Sequence, residues 1–109
     1  MTYEVVITDP AIDDVIKIVS YIRDLTDSDD ILDEYMIGIL QTAKSLDSMP
    51  YRFQVSDEPV LAELEVRMAP YKDYVIAYGI DESTSSVFVY RVLYSKSDLK
   101  ERFFDKRQS

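Results

Sequence analysis

The sequence predicts an α+β domain, with an antiparallel helical hairpin packed on one face of a mainly antiparallel sheet. Three observations carry this. A short β-branched run near the N-terminus feeds directly into apolar residues at helical spacing. A second helical stretch follows after a few polar residues. The second half of the chain then changes to strand-like patterning. The expected order is strand, helix, helix, three antiparallel strands and a short C-terminal helix, in one domain over residues 1–109.

Tyr3 to Ile7 is the first strand, and Asp9 and Pro10 behind it suit an N-cap and first helical position. Ala11, Val15, Ile18, Val19 and Ile22 then recur at helical spacing, with Asp13, Asp14, Lys17 and Arg23 assigned to other faces, and the helix ends near Leu25. Ser28 caps a second helix whose first turn carries Asp29 and Asp30, where negative charge suits the helix dipole. Its apolar stripe is Leu32, Tyr35, Met36, Ile39, Leu40, Ala43 and Leu46, and Met49-Pro50 stops it. The hairpin therefore spans Pro10–Asp47.

Residues 51–59 read as polar and irregular. Leu64, Val66 and Met68 alternate with Glu63, Glu65 and Arg67, the period of a half-exposed strand. Tyr74 to Ile80 is the next strand, DESTSS at 81–86 a polar hairpin connection, and Val87 to Tyr94 the last strand. Lys96 to Lys106 supplies a short helix containing Leu99, Phe103 and Phe104. In the two long strands both faces are largely apolar, yet the helical hairpin covers only one. Unless the tail folds over the other, an apolar patch is left exposed as a partner surface.

Composition removes whole classes of chemistry. The chain has no cysteine and no histidine, which excludes disulfides, thiolate nucleophiles, His-centred triads and the usual zinc sites. No run of apolar residues is long enough for a membrane span, and the N-terminus lacks the pattern of a signal peptide, so a cytoplasmic protein without membrane contact is expected. The formal net charge of −9 is uneven: residues 1–58 hold 13 Asp/Glu against 4 Lys/Arg, whereas residues 59–109 hold 8 of each. An acidic body with a mildly basic tail argues against broad nucleic-acid binding and confines any RNA contact to that tail. The acidic run at 27–34 fails as a calcium loop, because Ile31 falls at a ligand position and the required glycine is absent. With only two glycines, Gly38 and Gly79, there is no phosphate-cradling loop. Neither cofactor nor metal is expected.

What remains is Arg91, a cation inside the apolar strand VFVYRVLY, with Arg67, Lys72, Tyr94, Lys96, Lys100 and Arg102 as companions. Cationic groups stabilise charge on a transferring phosphoryl group and a phenol can move a proton, so such a cluster can cleave RNA without metal or histidine. The structural alternative is that Arg91 pairs with a carboxylate such as Glu65 on a neighbouring strand.

These segments together resemble the RelE/ParE superfamily of toxins from bacterial type II toxin–antitoxin systems. YEVVITDPAIDDVIKIVSYI is similar to that family's opening strand and first helix, and SLDSMPYR to the segment closing its second helix. DYVIAYGID and VFVYRVLYSKSD resemble its last two strands. The resemblance implies a growth inhibitor held inactive by a cognate antitoxin, as a homodimer or a toxin–antitoxin hetero-oligomer. Its target would be mRNA on the ribosome, as a metal-independent endoribonuclease, or DNA gyrase. The alternative is an inactive relative that serves as a protein-binding module. Carried over by position, Arg67 matches a basic residue of the nuclease branch, whose companion lysine falls on Glu65. Lys96 matches the basic residue after the last strand, and Arg91 and Tyr94 match a pattern of the wider superfamily. The site implied for RNA is Arg67, Arg91, Tyr94 and Lys96, with Lys72, Lys100 and Arg102 as further substrate contacts.

Overall fold

The computed structural model describes residues 2–105. Strand β1 (Glu4–Ile7) leads into helix α1 (Asp9–Leu25) and, after three residues, helix α2 (Asp29–Lys44). A short helix α3 (Pro59–Glu63) precedes strands β2 (Arg67–Tyr71), β3 (Tyr74–Asp81) and β4 (Ser86–Tyr94), and helix α4 (Leu99–Phe103) follows. The four strands lie in the order β1-β4-β3-β2, with β1 parallel to β4 and the other neighbours antiparallel. The expected α+β fold is present, including the N-terminal strand in the sheet and contact between the two long helices. The last expected helix ends at Phe103, and Lys106 lies outside the described residues.

Local chemistry explains the boundaries. Thr8, one residue earlier than expected, caps α1: its hydroxyl accepts the Ala11 N–H at 3.4 Å, while Asp9 and Pro10 occupy the first helical positions. Ser28 caps α2 as expected, accepting the Ile31 N–H at 3.3 Å. A single 3₁₀ turn, Ser45–Asp47, closes the hairpin. The alternation at 63–68 proves to be a helix end running into a turn. Glu58 accepts the Leu61 N–H and Pro59 presets the first helical dihedral of α3. Glu65 then turns back with φ of 59°, and the strand begins only at Arg67. Val66 is buried because its N–H bonds the Leu61 carbonyl across that turn, so a period-two pattern arose without a strand.

Between the hairpin and the sheet lies the main core, in which Ala11, Val15, Ile18 and Ile22 meet Ile39, Ala43 and Leu46 above Ile76, Tyr78, Val87 and Val89. Gly38 is placed in mid-helix because Tyr71 of β2 lies across it: a Cβ there would sit 2.0 Å from the phenol oxygen, which donates to the Glu34 carbonyl at 2.9 Å. The opposite sheet face is not left bare. Leu61, Val66 and Ala77 form a second cluster with Met68, Tyr90, Leu99 and Phe103, so α3 and α4 cover it. The expected exposed sheet patch is therefore absent from the described residues, because the tail folds over it. Among the described residues, eight of the fourteen exposed large apolar side chains lie instead on the two helices of the hairpin. Among the described residues, no helix is long and apolar enough to cross a membrane.

Candidate functional site

The site begins where β1 ends. Since β1 stops at Ile7, the edge of β4 beyond Val89 has no strand beside it, and its polar backbone groups need other partners. The Thr8 N–H reaches the Val89 carbonyl at 3.1 Å, and the Thr8 hydroxyl lies 2.8 Å from the same oxygen. The Val92 N–H is taken by a carboxylate oxygen of Asp14 at 2.9 Å. Asp14 follows Ala11 by three residues and precedes Ile18 by four, which places it on the buried face of α1.

Arg91 pairs with this carboxylate. Its Nε donates to Asp14 Oδ2 at 2.7 Å and its Nη2 to Oδ1 at 2.8 Å, a two-pronged charge-assisted arrangement with both side chains largely buried. The remaining amino group, Nη1, donates to the carbonyls of Arg102, Phe103 and Asp105 at 2.7, 3.2 and 3.0 Å, tying α4 to the sheet. The Asp14 hydrogen bond raises the Arg91 pKa and outweighs burial, which acts in the other direction. The partner is thus Asp14 and not Glu65. Glu65 sits in the left-handed turn before β2, whereas Asp14 reaches the open edge of β4 itself.

Beside the pair is a cleft of about 830 Å³ between α1 and the adjoining ends of β3 and β4. Tyr21, Tyr35, Tyr74 and Tyr94 line it with Ile22 and Leu25. Tyr35 meets Tyr74 edge to face with ring centroids 6.2 Å apart, and Tyr74 meets Tyr94 at 6.0 Å. Burial raises the Tyr74 pKa, so its phenol stays protonated. Lys17, Asp73, Ser97 and Arg102 add polar groups. Aromatic walls and a guanidinium already neutralised by Asp14 suit the capture of apolar or aromatic side chains.

Of the residues singled out in the sequence, Arg91, Tyr94 and Arg102 meet at this cleft. Arg67 does not line it: its Nη1 donates to the Phe53 and Tyr51 carbonyls at 2.7 and 3.3 Å, and its guanidinium stacks 4.9 Å from the Tyr51 ring centroid. Lys72 is held by Glu34 at 3.1 Å, and that hydrogen bond raises its pKa. Lys96 and Lys100 are exposed. A second polar cluster at the β3–β4 turn escaped the sequence reading. There Tyr3 and Tyr51 both donate to Glu82, which pushes the Tyr51 phenol up to about 12. Asp14 was also missed, although its spacing from Ala11 and Ile18 was the available signal. Among the described residues no cluster of acidic side chains could hold a metal ion.

Comparison with known proteins adds to the geometry. The family described as the ParE toxin of the parDE type II toxin–antitoxin system matches residues 5–99. Among solved structures, the toxin–antitoxin complex RelBE2 from Mycobacterium tuberculosis contains a chain with the same fold. The two are 24% identical with a TM-score of 0.60, over 86% of this chain and 99% of that one. No curated protein matches the chain.

Proposed function

We propose, for a chain that belongs to the ParE toxin family of type II toxin–antitoxin systems, that it arrests growth by binding DNA gyrase in the cytoplasm and not by cleaving mRNA. The observation that carries this reading is the engagement of its two strand arginines. Arg91 directs its donors to Asp14 and to the α4 carbonyls, and Arg67 directs its Nη1 to two loop carbonyls. A phosphate could recruit Arg91 only by displacing α4 or Asp14, leaving a buried carboxylate without its counter-charge. A net charge of −9 also disfavours capture of an RNA backbone. Tyr94, Lys96, Lys100 and Arg102 then act as a contact surface for a protein target, and an antitoxin neutralises the chain by covering it.

The test is inducible expression in a bacterial host, followed by purification and two assays. Growth arrest is expected, relieved by co-expressing a cognate antitoxin. Purified protein should inhibit gyrase supercoiling and leave mRNA in a translation extract uncut. Fragmented mRNA together with unaffected supercoiling would replace this reading with ribonuclease action. Normal growth, with neither activity, would identify an inactive relative.

A further inference from the structure

Past Asp14, the edge of β4 still offers backbone groups that no side chain takes. Strand β1 covers that edge only as far as Val89. Farther on, the Ser95 N–H bonds the Asp73 carbonyl, so Leu93 and Ser95 turn their backbone groups toward β3, and Val92 and Tyr94 turn theirs to the opposite side, where α1 lies. Asp14 takes the Val92 N–H, and the Tyr94 carbonyl accepts from the Ser97 N–H and hydroxyl. Among the described residues, the Val92 carbonyl and the Tyr94 N–H have no hydrogen-bond partner.

These two groups are spaced as an added strand requires. In a segment running parallel to β4, a residue opposite Leu93, placed as Val6 is placed opposite Phe88, would donate its N–H to the Val92 carbonyl and accept the Tyr94 N–H. The edge opens on the cleft lined by Tyr21, Tyr35, Tyr74 and Tyr94, where such a segment would bury an apolar or aromatic side chain. Charge adds a further selection. The lining holds Lys17, Arg91 and Arg102 against Asp14 and Asp73, a cationic balance within a chain of net charge −9. Arg91 and Asp14 cancel, Arg102 lies 3.8 Å from Asp105, and Lys17 has no ion pair among the described residues. An acidic side chain is therefore the charge this cleft favours.

We propose that the cleft holds its protein target by strand addition, taking an extended acidic segment whose backbone pairs with Val92 and Tyr94 and whose apolar side chain enters among the tyrosines. This rests on the reading of the cleft and its rim as the contact surface for a protein target. Backbone pairing sets the direction of the segment, the tyrosines select its apolar side chain, and Lys17 with Arg102 selects the flanking acid. Binding weakens with salt, because Lys17 contributes through its charge.

The test uses the purified chain and a fluorescently labelled seven-residue peptide, read by anisotropy. The peptide has phenylalanine at its centre, aspartate two residues to either side and alanine elsewhere. Control peptides carry alanine in place of phenylalanine, lysine in place of aspartate, or N-methyl groups on the three central backbone amides. The parent peptide should bind about tenfold more tightly than each control. Lys17→Glu should reverse the preference between the aspartate and lysine peptides. On the unaltered chain, hydrogen exchange read by NMR should show the Tyr94 amide slowed about tenfold or more by saturating peptide, a readout that needs no variant. Equal binding of the N-methylated peptide, or a Tyr94 amide that exchanges as fast with peptide as without, would overturn strand addition. Displacement of the peptide by a short RNA would give the cleft to nucleic acid and overturn it too. Peptide binding by a chain that leaves supercoiling unaffected would overturn the gyrase reading and leave this site standing. Supercoiling inhibition that a saturating excess of peptide does not relieve would overturn this proposal and leave that reading in place.

Discussion

Replacing Arg91 with alanine removes the counter-charge of a carboxylate that stays buried. After the change Asp14 keeps one donor, the Val92 N–H, and loses two charge-assisted hydrogen bonds of 2.7 and 2.8 Å. The carbonyls of Arg102, Phe103 and Asp105 lose their donor from the sheet as well. Breaking a buried ion pair from one side costs about 3–5 kcal/mol, out of a total stability of roughly 5–15 kcal/mol for a domain of this size. In urea titrations followed by circular dichroism, Arg91→Ala should therefore lose about a fifth or more of the folding free energy. Its Tm should fall by roughly 15 °C. Asp14→Leu should lose a similar amount. The double variant Asp14→Leu/Arg91→Met should lose less than either single variant, about 1–3 kcal/mol, since both charges leave together and the unpaired Val92 N–H is the main residual penalty. Trypsin should also cut after Lys100 and Arg102 faster in Arg91→Ala, because α4 is no longer fastened. An Arg91→Ala protein within 1 kcal/mol of the wild type (about fivefold in the folding constant), with unchanged proteolysis, would refute the clamp.

Gly38→Ala should destabilise the protein by about 1 kcal/mol in the same urea assay, although alanine is the better helix former, because the new methyl displaces Tyr71 from the Glu34 carbonyl. In a Tyr71→Ala background the sign should reverse to a gain of up to about 1 kcal/mol, and destabilisation in both backgrounds would contradict the packing explanation. Alkaline titration of phenolate absorbance should contain a late component near pH 12 from Tyr51. Since folding holds that proton more tightly than the unfolded chain does, the tie to Glu82 is intact below pH 10 and is lost as pH rises through 12. Glu82→Gln should move the component down, and a titration identical to wild type would remove the tie as its cause.

The helical hairpin was legible because burial on one face imposes a 3.6-residue period, and the Ser28 cap that starts α2 carries its own local chemistry. The β3–β4 hairpin was legible through its dense β-branched and aromatic runs. The alternation at 63–68 misled because a buried residue in a tight turn, Val66, mimics a strand position, and hydropathy alone does not register the capping that starts α3. The role of Arg91 was half legible. A cation in an apolar strand requires a partner, but the choice between Glu65 and Asp14 depends on where β1 ends and on which edge of β4 is thereby left open. That is a tertiary fact, 77 residues distant in the chain. The cover over the second sheet face was likewise anticipated only as a condition, since Leu99 and Phe103 show their role only once α4 is fastened by Arg91.

The most direct test of the proposed action is a dose response of supercoiling at fixed gyrase concentration. A toxin that works by binding should abolish supercoiling as its concentration approaches that of gyrase, with inhibition reversed by the antitoxin and mRNA left intact at the same doses. Supercoiling unaffected at a large molar excess of a folded, growth-arresting protein would contradict the proposal and return the target to the ribosome.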